Sequence, residues 1–138
     1  FGNDVIVLND SSVIIKGIKF WGSSWNNSSQ AWGVDEVTRQ FKWNMIPNDT
    51  DVLITHIPPF GILDLAWDNS QKSNEICYVC DQSHPRYKHW GCRSLSYYLE
   101  THYIPVHLFG HVHDDVGIKQ IRDTVYSNAA MDLKHKVN

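Results

Sequence analysis

Apolar residues in this chain come in short bursts separated by turn formers, and the spacing within the bursts changes along the sequence. Val5-Ile6-Val7-Leu8 is a run rich in β-branched residues. Asn9-Asp10-Ser11-Ser12 interrupts it, and Val13-Ile14-Ile15 resumes it. Gly17 breaks the chain again, and Ile18-Lys19-Phe20-Trp21 alternates up to Gly22. This pattern predicts two or three short antiparallel strands. From about Ala31 to Trp43 the period lengthens. Val34, Val37 and Phe41 recur at spacings of three and four, which predicts a helix with those residues on its apolar face, ended before Pro47. Val52-Leu53-Ile54 and Val106-His107-Leu108-Phe109 are too short for helices and predict buried strands. A long connection lies between them, closing with a helix from about Arg93 to His102 that aligns Leu95, Tyr98, Leu99 and His102. Gly117 to Ile121 and Thr124 to Ser127 flank the turn Arg122-Asp123 and predict a hairpin. Strand, long crossover with helix, strand is the signature of an α/β arrangement. The two crossover-linked strands should lie parallel, with their carboxyl ends facing the same way.

Polar residues with chemistry fall where these strands end. Val52-Leu53-Ile54-Thr55 runs into His56-Ile57-Pro58-Pro59. Val106 to Phe109 runs into Gly110-His111-Val112-His113, and Val125-Tyr126-Ser127 runs into Asn128-Ala129-Ala130. Sites in open α/β sheets form outside the carboxyl ends of strands, and neutral imidazole is the commonest transition-metal ligand. One histidine at a strand end is usually a hydrogen-bonded structural residue, and an isolated His-x-His pair is only weakly metal-specific. Three of them at matching strand ends carry more weight, so His56, His111 and His113 are the candidate metal ligands. His107, inside its strand, is read as a packing residue, and His102 and His135 receive no role. Asp64 and Asp68 are read as solvated loop carboxylates.

The long connection holds a second constellation. Cys77-Tyr78-Val79-Cys80 is followed by His84, His89 and Cys92. Such a set is able to form a tetrahedral zinc site or a redox pair. The favoured reading is a loop with ordinary thiols and no tightly bound zinc.

Composition narrows the picture further. The 138 residues are 42% hydrophobic and 20% charged, with a net charge of −3. That suits a globular domain with its own core and gives no broad basic field for a nucleic-acid polymer. No apolar run approaches the ~20 residues that span a bilayer, and no charged-then-apolar leader is visible. Three cysteines do not make a disulfide framework, so a reducing, cytoplasmic setting is expected.

The motifs also carry a family resemblance. Thr55-His56-Ile57-Pro58-Pro59-Phe60-Gly61 and Gly110-His111-Val112-His113 resemble the last two metal motifs of calcineurin-like metallophosphoesterases. Ile18-Lys19-Phe20-Trp21-Gly22-Ser23-Ser24-Trp25, Gly91-Cys92-x-x-Leu95 and Ser127-Asn128-Ala129 are similar to the small metallophosphoesterase-domain branch. The resemblance covers about Val5 to Asp132. It implies half of a four-layer α/β sandwich, so that residues 1–138 form the C-terminal part of a single domain. The family's earlier motifs, Asp-x-His, Gly-Asp and Gly-Asn-His, are absent from these residues. Gly2-Asn3-Asp4 lacks the histidine and is not carried over.

The resemblance further implies that His56 and His111 ligate one divalent metal and His113 a second, the ions being manganese, iron, zinc or magnesium. The implied reaction is two-metal hydrolysis of a small phosphate ester, a phosphodiester by preference, with in-line attack on phosphorus. His89, two residues before the Gly91-Cys92 match, is the candidate substrate-binding residue. The catalytic residues proper remain unassigned, and the chain alone is expected to be inactive without the other half of its domain. The rival reading is a non-catalytic binding domain or a zinc-stabilised interaction module. Encoded sequence upstream of Phe1 that contains Asp-x-His and Gly-Asn-His separates the two.

Overall fold

A computed structural model describes residues 4–26 and 33–131. The chain opens with a hairpin, β1 (Ser11–Ile15) and β2 (Ile18–Ser23), turned at Lys16 and Gly17, which both have positive φ. Two consecutive left-handed residues give the turn whose twist matches that of paired strands. Helix α1 (Glu36–Trp43) follows, then β3 (Val52–Thr55), a small antiparallel pair β4 (Leu65–Trp67) and β5 (Tyr87–His89), and helix α2 (Arg93–Thr101). The chain then adds β6 (Val106–Phe109) and a closing hairpin of β7 (Gly117–Ile121) and β8 (Thr124–Asn128). The main sheet has six strands in the order β1-β2-β3-β6-β8-β7. β2, β3, β6 and β8 run parallel, and an antiparallel strand closes each edge. This is the expected α/β class, and the expected parallel pairing of β3 with β6 is present.

Both helices pack on one face of the sheet. Trp21 and Leu53 of the sheet meet Trp43, Ile46, Ile57, Leu95, Tyr98 and Ile104 in one buried cluster. The indole of Trp43 donates to Ser94 Oγ at 3.1 Å, so its polar edge is satisfied inside the core. Asp35 caps α1 by accepting from the Thr38 amide at 2.8 Å. The Glu36 carboxylate accepts from the Ser94 amide at 2.9 Å, which satisfies an orphan donor at the start of α2. The opposite sheet face is only partly covered. Val52, Ile54, Val106, Leu108 and Val125 stand on it in register and none is fully buried. Leu8 crosses it at one end, its Cβ coming within 2.7 Å of where a Cβ on Gly22 would stand.

Three sequence expectations are corrected. Val5 to Leu8 is not a strand: residues 5–7 are exposed, and only Leu8 packs on the sheet. Helix α1 is shorter than expected and faces the other way. Val37 and Phe41 are 63% and 69% exposed, whereas Arg39 and Trp43 are buried. An arginine goes inside because its guanidinium reaches the Val34 carbonyl and Glu36, and burying Trp43 removes more apolar surface from water than burying Val37 would. Finally, Asp64 is not a solvated loop carboxylate but fully buried. Part of the expected helix, residues 31 and 32, lies outside the described residues, as does His135.

Candidate functional site

β3 and β6 are neighbours, so their carboxyl ends deliver His56 and the Gly110–His113 turn to the same edge of the sheet. The Gly110 amide donates to the His56 carbonyl at 3.1 Å, locking the two motifs together just beyond the last ladder bond. The rings of His56 and His111 are 4.8 Å apart between centroids, tilted by 59°. His111 sits at φ 68° in a three-residue turn closed by the Val112 amide on the Gly110 carbonyl at 2.8 Å. Positive φ is unfavourable for a side chain of this size, and a local outlier of this kind motivates a functional reading. Val112 is buried and anchors the turn, leaving His111 half-buried and His113 exposed.

Burial favours the neutral form of His56 and His111. Burial lowers the pKa of His56. Burial also lowers that of His111, and the neighbouring His56 and His113 push in the same direction. Neutral imidazole is the form that ligates a metal. The indole of Trp90 lies 6.4 Å from the His111 ring, with the Lys88 ammonium 5.7 Å from the indole. Sequence reading gave neither residue a role; their proximity depends on the β4–β5 hairpin folding back on the strand ends.

Asn128, at the end of β8, braces this edge from beneath. Its side-chain amide donates to the carbonyls of Val112 at 2.8 Å, Asp115 at 2.9 Å and Leu63 at 3.1 Å, and its oxygen accepts from the Ala130 amide at 3.0 Å. Buried and fully engaged, it ties the turn bearing His111 and His113 to the loop after Pro59.

The remaining sequence candidates lie elsewhere. His107 is buried within β6, with Nε2 2.9 Å from Thr55 Oγ1 and ring contacts to Phe109 and Tyr126, the packing role expected of it. The side chain of His89 is 6% exposed. Its Nδ1 is 2.6 Å from Asp64 Oδ1, and its ring faces His84 and Phe60. Asp64 also accepts from the amides of Gly61 at 3.0 Å and Gly91 at 2.8 Å. Asp68 pairs with Lys88 at the surface. Cys92 is buried in the core against Ser94, apart from the Cys77–Cys80 pair. Among the described residues, the His, Cys, Asp and Glu group whose ligand atoms all lie within 4.8 Å of one another is Cys77, Cys80, His84 and His89. A surface cavity of about 490 Å³ lined by Phe60, Ile62, Leu99, Tyr103 and Tyr126 includes none of His56, His111 and His113. No helix among the described residues is long and apolar enough to cross a membrane.

Fold and site together define an α/β protein with histidines gathered at the carboxyl edge of a parallel sheet. A solved crystal structure superposes with a TM-score of 0.54 over 91% of this chain and 46% of that chain, at 15% identity, which supports the fold alone. In sequence, the chain is 32% identical over 130 residues to the human metallophosphoesterase domain-containing protein 1, covering 91% of this chain and 35% of that protein. It is 34% identical over 129 residues to a UPF0046 protein of Caenorhabditis elegans, covering 92% of this chain and 38% of that protein. The chain thus spans little more than a third of the length of these curated relatives. No family model matches it. The resemblance to the metallophosphoesterase-domain branch, read first from the motifs, is borne out by these relatives.

Proposed function

We propose that the chain is the C-terminal part of a single metallophosphoesterase domain, and that the complete protein hydrolyses a small phosphate ester, a phosphodiester by preference. The observation that carries this reading is the meeting of the His56 and His111 rings, 4.8 Å apart, at the carboxyl ends of adjacent parallel strands. The residues present fit one wall of a dinuclear centre. His56 and His111 would hold one divalent ion and His113 the other. Three neutral imidazoles do nothing to offset the repulsion between two dications, so the centre would need a bridging carboxylate, which the family resemblance assigns to a motif absent from these 138 residues. The chemistry such ions supply is charge stabilisation at the phosphate oxygens and activation of the attacking water.

This chain's own residues do the positioning. The Gly110–His56 backbone bond and the Asn128 amide hold the ligand turn. Trp90 offers a flat apolar wall beside His111. The partly covered sheet face is the natural seat for the rest of the domain, since parallel sheets are normally covered on both faces.

The test compares two proteins with manganese and a nitrophenyl phosphodiester. The full-length protein should turn over and lose roughly 100-fold or more in His111→Ala. The 138-residue chain alone should show no robust turnover. Turnover by the isolated chain that disappears in His111→Ala would refute the half-site reading. An inactive full-length protein containing the upstream motifs would favour a binding role.

A further inference from the structure

The connection from Asp68 to Cys92 has little apolar burial of its own. Ile76 and Tyr78 are largely exposed, and residues 69–76 are exposed throughout. Its centre is nonetheless tightly wound. The Cys77 amide donates to the Gln82 carbonyl at 3.0 Å and the Asp81 amide to the Cys77 carbonyl at 2.8 Å, with Asp81 at φ 55°. The Val79 amide points at Cys77 Sγ from 3.4 Å. Backbone amides aimed at a sulfur favour its thiolate form, and the thiolate is the metal-ligating species.

Two histidines face this knuckle, each already committed at one nitrogen. His84 Nδ1 is 2.9 Å from the Tyr87 carbonyl, an acceptor only, so that nitrogen carries the proton. His89 Nδ1 is 2.6 Å from the Asp64 carboxylate and donates to it in the same way. The outward nitrogen of each ring, Nε2, is thereby left with a bare lone pair. Both Nε2 atoms are buried and without a hydrogen-bond partner. A buried acceptor left unpaired is costly unless something occupies the space before it.

We propose that Cys77, Cys80, His84 and His89 form a structural zinc site that holds this connection together. The four ligand atoms lie within 4.8 Å of one another. Tetrahedral zinc with ordinary Zn–S and Zn–N lengths sets its ligands about 3.3–3.8 Å apart, so closure needs only a small contraction. Two thiolates and two imidazoles give a neutral, four-coordinate centre with no open position, which is the structural rather than the catalytic pattern. The outer partners also match, since metal-bound histidines usually donate their other N–H to a carboxylate or a backbone carbonyl. The site shares no residue with the His56, His111 and His113 group and does not depend on the phosphoesterase reading. It departs from the sequence expectation of ordinary thiols, and from the alternative zinc reading that set a later cysteine and one histidine beside Cys77 and Cys80. Cys92 belongs to the core, and a second histidine takes its place.

The chain is purified under reducing conditions with zinc present, dialysed into metal-free buffer, and analysed for metal by mass spectrometry. About one zinc per chain is expected, retained in the His111→Ala/His113→Ala double variant and lost in Cys80→Ser and in His84→Ala. Cobalt loaded into the wild-type chain should give the intense visible bands of a tetrahedral thiolate site, a readout that needs no variant to fold. Stripping zinc should raise limited proteolysis within residues 69–88 by about tenfold or more, because metal binding and local folding are coupled. A zinc-free wild type with free, titratable thiols would overturn the proposal. Zinc that persists in both Cys80→Ser and His84→Ala, or a Cys77–Cys80 disulfide that forms in preference to metal uptake, would do the same.

Discussion

Lowering the pH from 7.5 to 5.0 should destabilise this fold, most strongly through His107. The ring is fully buried in the sheet. The Thr55 hydroxyl donates its proton to the Ile57 carbonyl at 2.7 Å, so it accepts from His107 Nε2–H at 2.9 Å, and the other ring nitrogen is left buried and bare. Burial holds the His107 pKa down, from 6.5 to about 3. The unfolded chain therefore takes up a proton near pH 6.5 that the folded chain refuses until about pH 3. The contribution is fully present above the unfolded value and is lost as pH falls towards the folded one. The populations give a loss of about 2 kcal/mol at pH 5.0 and about 4–5 kcal/mol by pH 3. His56 and His111, lowered by burial, act in the same direction. Only a difference measurement isolates His107. His107→Gln keeps a donor for Thr55 and removes the titration. Urea unfolding of both proteins at the two pH values is the assay. The wild type should lose about 2 kcal/mol more than the variant between pH 7.5 and 5.0. Equal losses would show that His107 is not titrated out of reach by burial, and the reasoning would fall.

Two further outcomes can be read from the same unfolding assay. Asn128→Ala removes the donor shared by three loop carbonyls and should cost about 2–4 kcal/mol; a change under about 0.5 kcal/mol would mean that water replaces it. Gly91→Ala would place a Cβ 2.4 Å from the Pro59 carbonyl oxygen and 2.6 Å from Phe60 Cα, so the backbone must part. A loss of at least about 2 kcal/mol is expected, and an unchanged midpoint would refute the contact.

The sequence made the sheet legible because its strands are short, β-branched and punctuated, and the parallel pairing followed from a crossover too long for a hairpin. The strand-end position of His56 and His111 was legible for the same reason, since each strand hands over to its histidine without a spacer. The facing of α1 was not. Val34, Val37 and Phe41 make as good a stripe as Arg39 and Trp43, and periodicity alone does not reveal that an arginine will find carbonyl and carboxylate partners inside. Strands β4 and β5, three residues each, are below the length at which alternation carries information. Asp64 was misread because a carboxylate in a loop is usually wet, and nothing local announces that two amides and an imidazole converge on it. The available signal was spacing. Cys77, Cys80, His84 and His89 are separated by three, four and five positions, and giving His84 equal weight with Cys92 would have identified the four.

The two clusters are tied together through the backbone, which gives the long connection a mechanical role. The Leu65 amide donates to the Asp115 carboxylate at 3.0 Å and the Trp67 amide to the Asp114 carboxylate at 2.9 Å. The Leu63 carbonyl is held by Asn128, and Asp64, next in the chain, holds His89. One strand of the small hairpin is therefore fastened to the residues immediately after His113, while the other leads back to the cysteine knuckle. Loops are the softest parts of a fold because they contribute few buried apolar contacts, and the turn at Gly110–His113 has only Val112 buried. Its rigidity must come from polar ties, and those ties run to a segment that itself lacks a core. A closed, neutral metal centre is one of the few devices able to stiffen such a segment without apolar burial. Zinc at Cys77, Cys80, His84 and His89 would thus act on the strand-end histidines by holding still the loop that carries two of them.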